Sequence, residues 1–230
     1  MKKSLWIAIA GALAVSVIAA SAQEVLSANT IGYIKKELPA GGQLITVSVP
    51  LFNMTAANNV FSNLSLSVEA PVNSIVSFWD PGLQRWVGGG KTGKGWDANV
   101  KTQIVAAGDF FFLKGPATST VPTEITIVGE VPDVTTQARA FQGSSNLSSM
   151  ANAYPADFVF GTSPLASNAA LNSVVSFWDV TGQRWVGGGK TGKGWDANVR
   201  TQVVSATSGF FLMQAGSDGV WTNAKPYTWP

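Results

Sequence analysis

Neither cysteine nor histidine occurs in this 230-residue chain, and each absence removes a class of chemistry. Without histidine there is no commonest general base and no Ser–His or Cys–His nucleophile pair. Without either residue there is no zinc site built on imidazole or thiolate. Disulfides are excluded, so the fold rests on buried area, which two domains of about 100 residues can supply. Charge is scarce as well, at 12% of residues. Setting aside Lys2 and Lys3 in the leader described next, residues 23–230 carry 13 basic and 13 acidic side chains and no net charge. No basic tract marks a nucleic-acid partner or an anionic lipid surface. A neutral chain has little self-repulsion, which favours close association with itself or with a surface. No residue pattern implies a cofactor or a metal.

The N-terminus reads as a processing signal. Lys2 and Lys3 precede an apolar run from Leu5 to Ala20, and Ala20-Ser21-Ala22 supplies small residues at −3 and −1. That combination predicts a secretory signal, residues 1–22, cleaved before Gln23. The run is shorter than the roughly 20 residues of a spanning helix and ends in a cleavage motif, so no membrane span is expected after cleavage. The expected destination is the periplasm, the cell surface or the extracellular space.

What the chain does contain is a duplication. The segment QRWVGGGKTGKGWDANV, Gln84–Val100, recurs unchanged as Gln183–Val199. Around it, Asn73–Val105 and Asn172–Val204 agree at 27 of 33 positions, whereas Pro39–Val72 and Ala138–Leu171 agree at only 7 of 34. One part of the repeat has stayed fixed while the rest drifted.

Twenty-four glycines, eleven prolines, short β-branched runs and the lack of any long 3.6-residue period argue for an all-β protein. Strands are predicted at Thr30–Ile34, Gln43–Val49, Ser74–Trp79, Arg85–Val87, Val100–Ala106, Phe110–Lys114 and Glu124–Val128, and again at Ser173–Trp178, Arg184–Val186, Val199–Ser205 and Phe210–Gln214. Turns fall at Pro39-Ala40-Gly41-Gly42, Asp80-Pro81-Gly82 and Val180-Thr181-Gly182. The Asn-, Ser- and Ala-rich stretches Ala56–Pro71 and Ala156–Ala170 are either long loops or short helices. The expected architecture is two tandem antiparallel β domains, residues 23–132 and 133–230, each a sandwich or small barrel. Their joint is Gly129-Glu130-Val131-Pro132-Asp133.

The order Gly32-Tyr33, Leu38-Pro39-Ala40-Gly41 leading into Leu44-Ile45, a Trp-containing strand, Gly108-Asp109-Phe110-Phe111-Phe112 and Val128-Gly129-Glu130-Val131-Pro132 resembles a group of uncharacterised secreted two-repeat β-rich proteins of diderm bacteria. The likeness implies export and a duplicated β fold, and it implies no activity. The second half departs from it, with Ala138-Arg139-Ala140-Phe141 where a Leu-Pro-Ala-Gly turn is expected.

Four readings of the candidate residues compete. Gly88-Gly89-Gly90-Lys91-Thr92 ends like a phosphate-binding loop, but Arg85 and Arg184 stand where that pattern needs its first glycine. A carbohydrate-binding surface would use Trp86, Trp96, Trp185 and Trp195 as stacking faces, with Lys91, Lys94, Asp97, Lys190, Lys193 and Asp196 as polar contacts; an extracellular or cell-envelope glycan would be the partner. A glycan hydrolase would need paired acids, for which Asp80 and Asp97, repeated as Asp179 and Asp196, are the candidates, although Asp80 opens a turn for backbone reasons. The fourth reading is association through Phe110–Leu113 and Phe210–Met213, which are core strands if central and pairing edges if exposed. The terminal Trp221, Tyr227 and Trp229 cover an edge or reach a partner. Asn53-Met54-Thr55, Asn63-Leu64-Ser65 and Asn146-Leu147-Ser148 match glycosylation acceptors but fit Asn/Ser-rich loops. The expectation favoured by absent catalytic side chains, zero net charge and duplication is a non-catalytic exported structural or surface protein with two equivalent contact faces.

Overall fold

The computed structural model describes residues 30–52 and 59–228. The expected signal peptide, Asn53-Met54-Thr55 and Trp229 lie outside them. The protein is all-β with a few single-turn helices, and none of its sheets closes into a barrel. The first half contains β1 (Ile31–Leu38), β2 (Leu44–Ser48), α1 (Ser65–Glu69), β3 (Ile75–Asp80), β4 (Arg85–Thr92), β5 (Gly95–Trp96), α2 (Ala98–Lys101), β6 (Phe110–Lys114) and β7 (Thr123–Glu130). The second contains β8 (Thr136–Phe141), β9 (Leu147–Ala151), β10 (Phe158–Val159), α3 (Pro164–Asn168), β11 (Val174–Asp179), β12 (Arg184–Thr191), β13 (Gly194–Trp195), α4 (Ala197–Arg200), β14 (Val203–Val204), β15 (Gly209–Met213) and β16 (Gly219–Ala224).

Each half builds the same unit. A five-stranded antiparallel sheet runs β2-β6-β3-β4-β5 in one and β9-β15-β11-β12-β13 in the other, and a two-stranded ribbon, β1-β7 or β8-β16, accompanies it. The ribbon registers fix the correspondence: Lys36 faces Ile125 where Arg139 faces Trp221, and Leu44 heads β2 as Leu147 heads β9. The apparent loss of the Leu-Pro-Ala-Gly turn is therefore a shift of register. Seven residues separate Leu51 from Asn59, but three separate Tyr154 from Phe158, so Leu38-Pro39 corresponds to Phe141-Gln142.

Strand alternation places two cores on opposite faces of each sheet. In the first half Val47, Val76, Phe78, Phe111 and Leu113 turn toward the ribbon, where Leu38, Ile125 and Ile127 close the layer. Phe160, Val175, Phe177, Phe210 and Leu212 do the same in the second half, with Phe141 and Trp221 on its ribbon. The opposite faces carry Trp79, Phe110 and Phe112, and Trp178, Trp185 and Phe211. They pack against each other as a third, central aromatic layer. The Phe-rich segments are thus central strands buried on both faces, not free edges.

Some predicted elements are corrected. Val100–Ala106 and Val199–Ser205 are not strands. Each begins in a single helical turn, α2 or α4, and only Ile104 and Val203-Val204 pair in β fashion, with Val60 and Val159 among their partners. The Gly-rich loop is the strand β4, and its copy is β12. Glycine is required there by close approach: a Cβ on Gly89 would stand 2.9 Å from Val100, and one on Gly188 2.9 Å from Val199, which seat α2 and α4 on the strands. The Asn- and Ser-rich stretches contain short helices, α1 and α3. Gly129-Glu130, expected at the joint, belongs to β7.

The two halves are related by an approximate twofold axis. Trp79–Trp86 and Trp178–Trp185 meet at the same 5.2 Å and 70°. Phe110 lies on the axis, its ring 6.3 Å from both Trp86 and Trp185. Its counterpart is Gly209, and a Cβ on Gly209 would collide with the Phe110 side chain. Two phenylalanines cannot share that point, so one repeat keeps the ring and the other gives it up. Gly209→Phe is expected to destabilise the fold by about 1–3 kcal/mol through overpacking. The exchange Phe110→Gly with Gly209→Phe should recover much of that loss, measured as the coupling in a double-mutant cycle by urea unfolding.

Candidate functional site

The unchanged segment folds as a hairpin whose side chains tie down their surroundings. Lys91 Nζ donates to the carbonyls of Ser67 (2.9 Å), Val68 (2.7 Å) and Ala70 (2.7 Å), the open C-terminal end of α1. Lys190 does the same for Ala166 (2.9 Å), Ser167 (2.8 Å) and Ala169 (2.6 Å) at the end of α3. A five-residue helix leaves most of its carbonyls without intrahelical partners, and a cation there both bonds them and opposes the negative dipole end. Burial lowers the Lys91 pKa from its ordinary value. Its ammonium also stands 5.8 Å from the centre of the Trp96 ring.

Trp96 and Trp195 are 6% and 7% exposed. Their indole N–H groups donate to Ser67 O and Ala166 O, both at 2.8 Å, and their rings pack edge-on against Phe61 and Phe160 at 5.0 Å. The stacking role that a carbohydrate-binding surface would give these two residues is therefore not open to them. Asp97 and Asp196 accept from the amides of Gly90 and Gly189 at 2.8 Å. Asn99 and Asn198 donate to the carbonyls of Gly88 (2.7 Å) and Gly187 (3.0 Å). These side chains close the outer edge of β4 and β12, where β5 and β13 pair with only two residues each. Asp80 and Asp179 serve their turns, accepting from Leu83 N at 3.0 Å and Gly182 N at 3.0 Å.

Other residues of the segment reach the other repeat. Gln84 and Gln183 have left-handed backbones, φ 49° and 48°, a conformation that non-glycine residues hold only when the surroundings require it. Each presents its amide to the far sheet. Gln84 accepts from Leu147 N (2.8 Å) and donates to Leu147 O (3.1 Å); Gln183 accepts from Leu44 N (2.9 Å) and donates to Leu44 O (3.1 Å). Trp79 Nε1 donates to Leu147 O at 3.1 Å and Trp178 Nε1 to Leu44 O at 2.9 Å. Farther along the same edges, Ser48 N donates to Thr207 O (2.9 Å) and Ala151 N to Gly108 O (2.7 Å). Each of these bonds has its mirror, as in an isologous interface. Trp86, at 37% exposure, and the half-buried Trp185 line this seam. Each packs on Phe211, Trp86 at 5.7 Å and Trp185 at 5.0 Å. Lys94 and Lys193, at the hairpin tips beside Gly93 and Gly192, are exposed to solvent, as are Arg85 and Arg184 at the other end of the strand.

A cation crosses the seam on each side. Lys36 Nζ donates to Thr207 O (2.9 Å), Thr207 Oγ1 (3.1 Å) and Ser208 Oγ (3.2 Å). Its counterpart Arg139 pairs with Asp109, which also accepts from Ser149 Oγ at 2.6 Å. Burial raises the Asp109 pKa against the opposing effect of Arg139 and Ser149. The Lys36 stem is partly accessible, but its ammonium is enclosed with no carboxylate partner among the described residues, and burial lowers its pKa to about 8. Clefts of about 350 and 460 Å³ flank these two cations, one along Lys36 and Trp178, the other along Arg139 and Pro81.

Comparison with models of known protein families, with curated proteins and with solved structures found no match. Among the described residues, no group of three carboxylates gathers to hold a metal ion, and no helix is long and apolar enough to cross a membrane. The site residues read from sequence therefore divide by position. Lys91, Trp96, Asp97 and their copies staple the hairpin, Trp86 and Trp185 line the seam, and Lys94 and Lys193 remain outward. Gln84, Gln183, Trp79, Trp178 and Lys36 were missed as contact residues, because their partners lie 63 to 172 positions away.

Gln84→Ala and Gln183→Ala are each expected to destabilise the fold by about 1–3 kcal/mol, since each strands the backbone N–H of Leu147 or Leu44 at the far edge, whose carbonyl keeps the Trp79 or Trp178 indole as donor. Hydrogen exchange should accelerate at Leu147 in the first variant and at Leu44 in the second. For Lys36 the sign follows from its lowered pKa. Below about pH 8 both folded and unfolded states hold the proton; between there and the ordinary 10.5 only the unfolded state does, so stability rises with pH across that window. Urea unfolding from pH 7 to 11 should show this rise relative to Lys36→Met, which itself should be more stable than the parent at pH 7.

Proposed function

We propose that the chain is a non-catalytic exported structural or surface protein that assembles or attaches through two equivalent exposed points, the hairpin tips carrying Lys94 and Lys193. The observation that carries this reading is the reciprocal seam. The aromatic and amide groups of the duplicated segment join the two repeats to each other and so fix two outward tips in a symmetric arrangement. Two equivalent contacts on one body raise avidity by roughly 10²–10⁴ when both engage. The carboxylates considered for glycan hydrolysis act on backbone amides, Asp97 and Asp196 on glycine N–H groups and Asp80 and Asp179 on their turns. A glycan platform on the paired tryptophans would be confined to the open parts of Trp86 and Trp185.

Size-exclusion chromatography and electron microscopy of the mature protein, with and without cell-envelope fractions, test the proposal. Assembly or attachment is expected, weakened modestly by Lys94→Glu or Lys193→Glu and severely by both together. A strictly monomeric protein that retains no envelope material overturns it.

A further inference from the structure

The drifted part of the second repeat has acquired something the first lacks. Ile125 and Ile127 fill the inner face of β7 as core residues; their counterparts on β16 are Trp221 and Asn223. Both are buried, at 3% and 9% exposure. Trp221 Nε1 and Asn223 Nδ2 are without a hydrogen-bond partner among the described residues. Two orphaned buried donors on one strand face are costly in a native protein unless something satisfies them. Both residues line one cavity of about 250 Å³, whose other walls include Asp157, Phe158, Thr162 and Pro164.

The cavity has a traceable origin. In the first repeat Ser65 and Glu69 of α1 bond the β7 backbone at Thr126 and Val128, drawing the helix onto the ribbon. Their counterparts are Pro164 and Asn168. Proline has no hydroxyl to make the first of these bonds, and α3 is held instead by its own cap, Ser163 Oγ accepting from Ala166 N at 3.1 Å.

We propose that this cavity between α3, β10 and β16 binds a single neutral saccharide unit. The two donors ask for acceptor oxygens. The exposed Asp157 carboxylate, which uses one oxygen on the Ala206 amide (2.8 Å), repels an anion and accepts from a hydroxyl. The half-buried Phe158 ring, 5.4 Å from that of Trp221, supplies an apolar wall for the C–H face of a sugar ring. The volume far exceeds one water's share of about 30 Å³ and lies below the roughly 300–1,000 Å³ typical of drug-sized ligands. The site is independent of the hairpin tips.

Saturation-transfer NMR on the full-length protein, with glucose, galactose, N-acetylglucosamine and N-acetylgalactosamine as probes, tests this. At least one sugar is expected to show transfer and to shift the Trp221 indole N–H signal, assigned by its loss in Trp221→Phe. Trp221→Phe and Asn223→Ile should each weaken binding by roughly tenfold. Asn223→Ile installs the residue of the first repeat and should melt at or above the parent temperature, which separates lost binding from lost fold. The tip variant Lys94→Glu with Lys193→Glu should bind the sugar unchanged, so this site and the attachment proposal fail separately. The proposal is overturned if none of the four sugars shifts the Trp221 indole signal, if folded Asn223→Ile binds as well as the parent, or if a sugar-soaked crystal shows only ordered water on the two donors.

Discussion

A sheet edge is a row of backbone donors and acceptors, and in this protein each repeat closes the other's edge with a side-chain amide. Gln84 covers Leu147 and Gln183 covers Leu44, each by one accepted and one donated bond. An unprotected edge invites pairing with another chain; here the groups at the heads of β2 and β9 are occupied within the molecule. The aromatic layer between the sheets follows from that closure, because it holds Phe112 against Trp178 and Phe211 against Trp79 at 4.9 and 5.0 Å. Aromatic pairs of this kind contribute about 0.5–1.5 kcal/mol each beyond the area they bury.

The same closure gives a physical reason for the unequal drift of the repeats. A residue such as Gln84 must suit its own hairpin, where it adopts a left-handed backbone, and the far edge, where it bonds Leu147. Lys91, Trp96, Asp97 and Asn99 are each committed to a backbone group of their own repeat. Substitution at these positions leaves a carbonyl or amide unpaired, twice over if both copies change. Apart from Lys36 and Arg139, which cross the seam, the residues of the ribbons β1-β7 and β8-β16 that are described above carry no such double obligation, and the ribbons have diverged.

Where the two halves differ, the symmetry itself often forces the difference. Phe110 occupies the axis and Gly209 yields to it. Across the seam Arg139 has the carboxylate of Asp109, whereas Lys36 has only the neutral oxygens of Thr207 and Ser208. The replacement of Ile125 and Ile127 by Trp221 and Asn223 has no such origin in the seam. It lies on the far side of the second core, where Pro164 cannot make the bond that Ser65 gives the ribbon in the first repeat. Structural duplication thus left one ribbon free to take on a different surface.

The sequence alone determined the all-β class, the two-repeat plan and the β3–β4 and β11–β12 hairpins, because period-two patterning, turn chemistry and self-similarity are local properties. It also determined that Asp80 belongs to a turn, since aspartate bonds backbone a few residues away. Tertiary structure decided what the repeated segment is for. Trp96 and Trp86 look alike in sequence, each next to a charged residue and close to glycine, yet one is buried on Phe61 and the other lies on the seam. Glycines that read as a flexible loop are strand positions cleared for Val100 and Val199. No local pattern could distinguish these, because burial depends on which distant backbone arrives opposite a side chain, and the twofold pairing of the repeats sets that arrival.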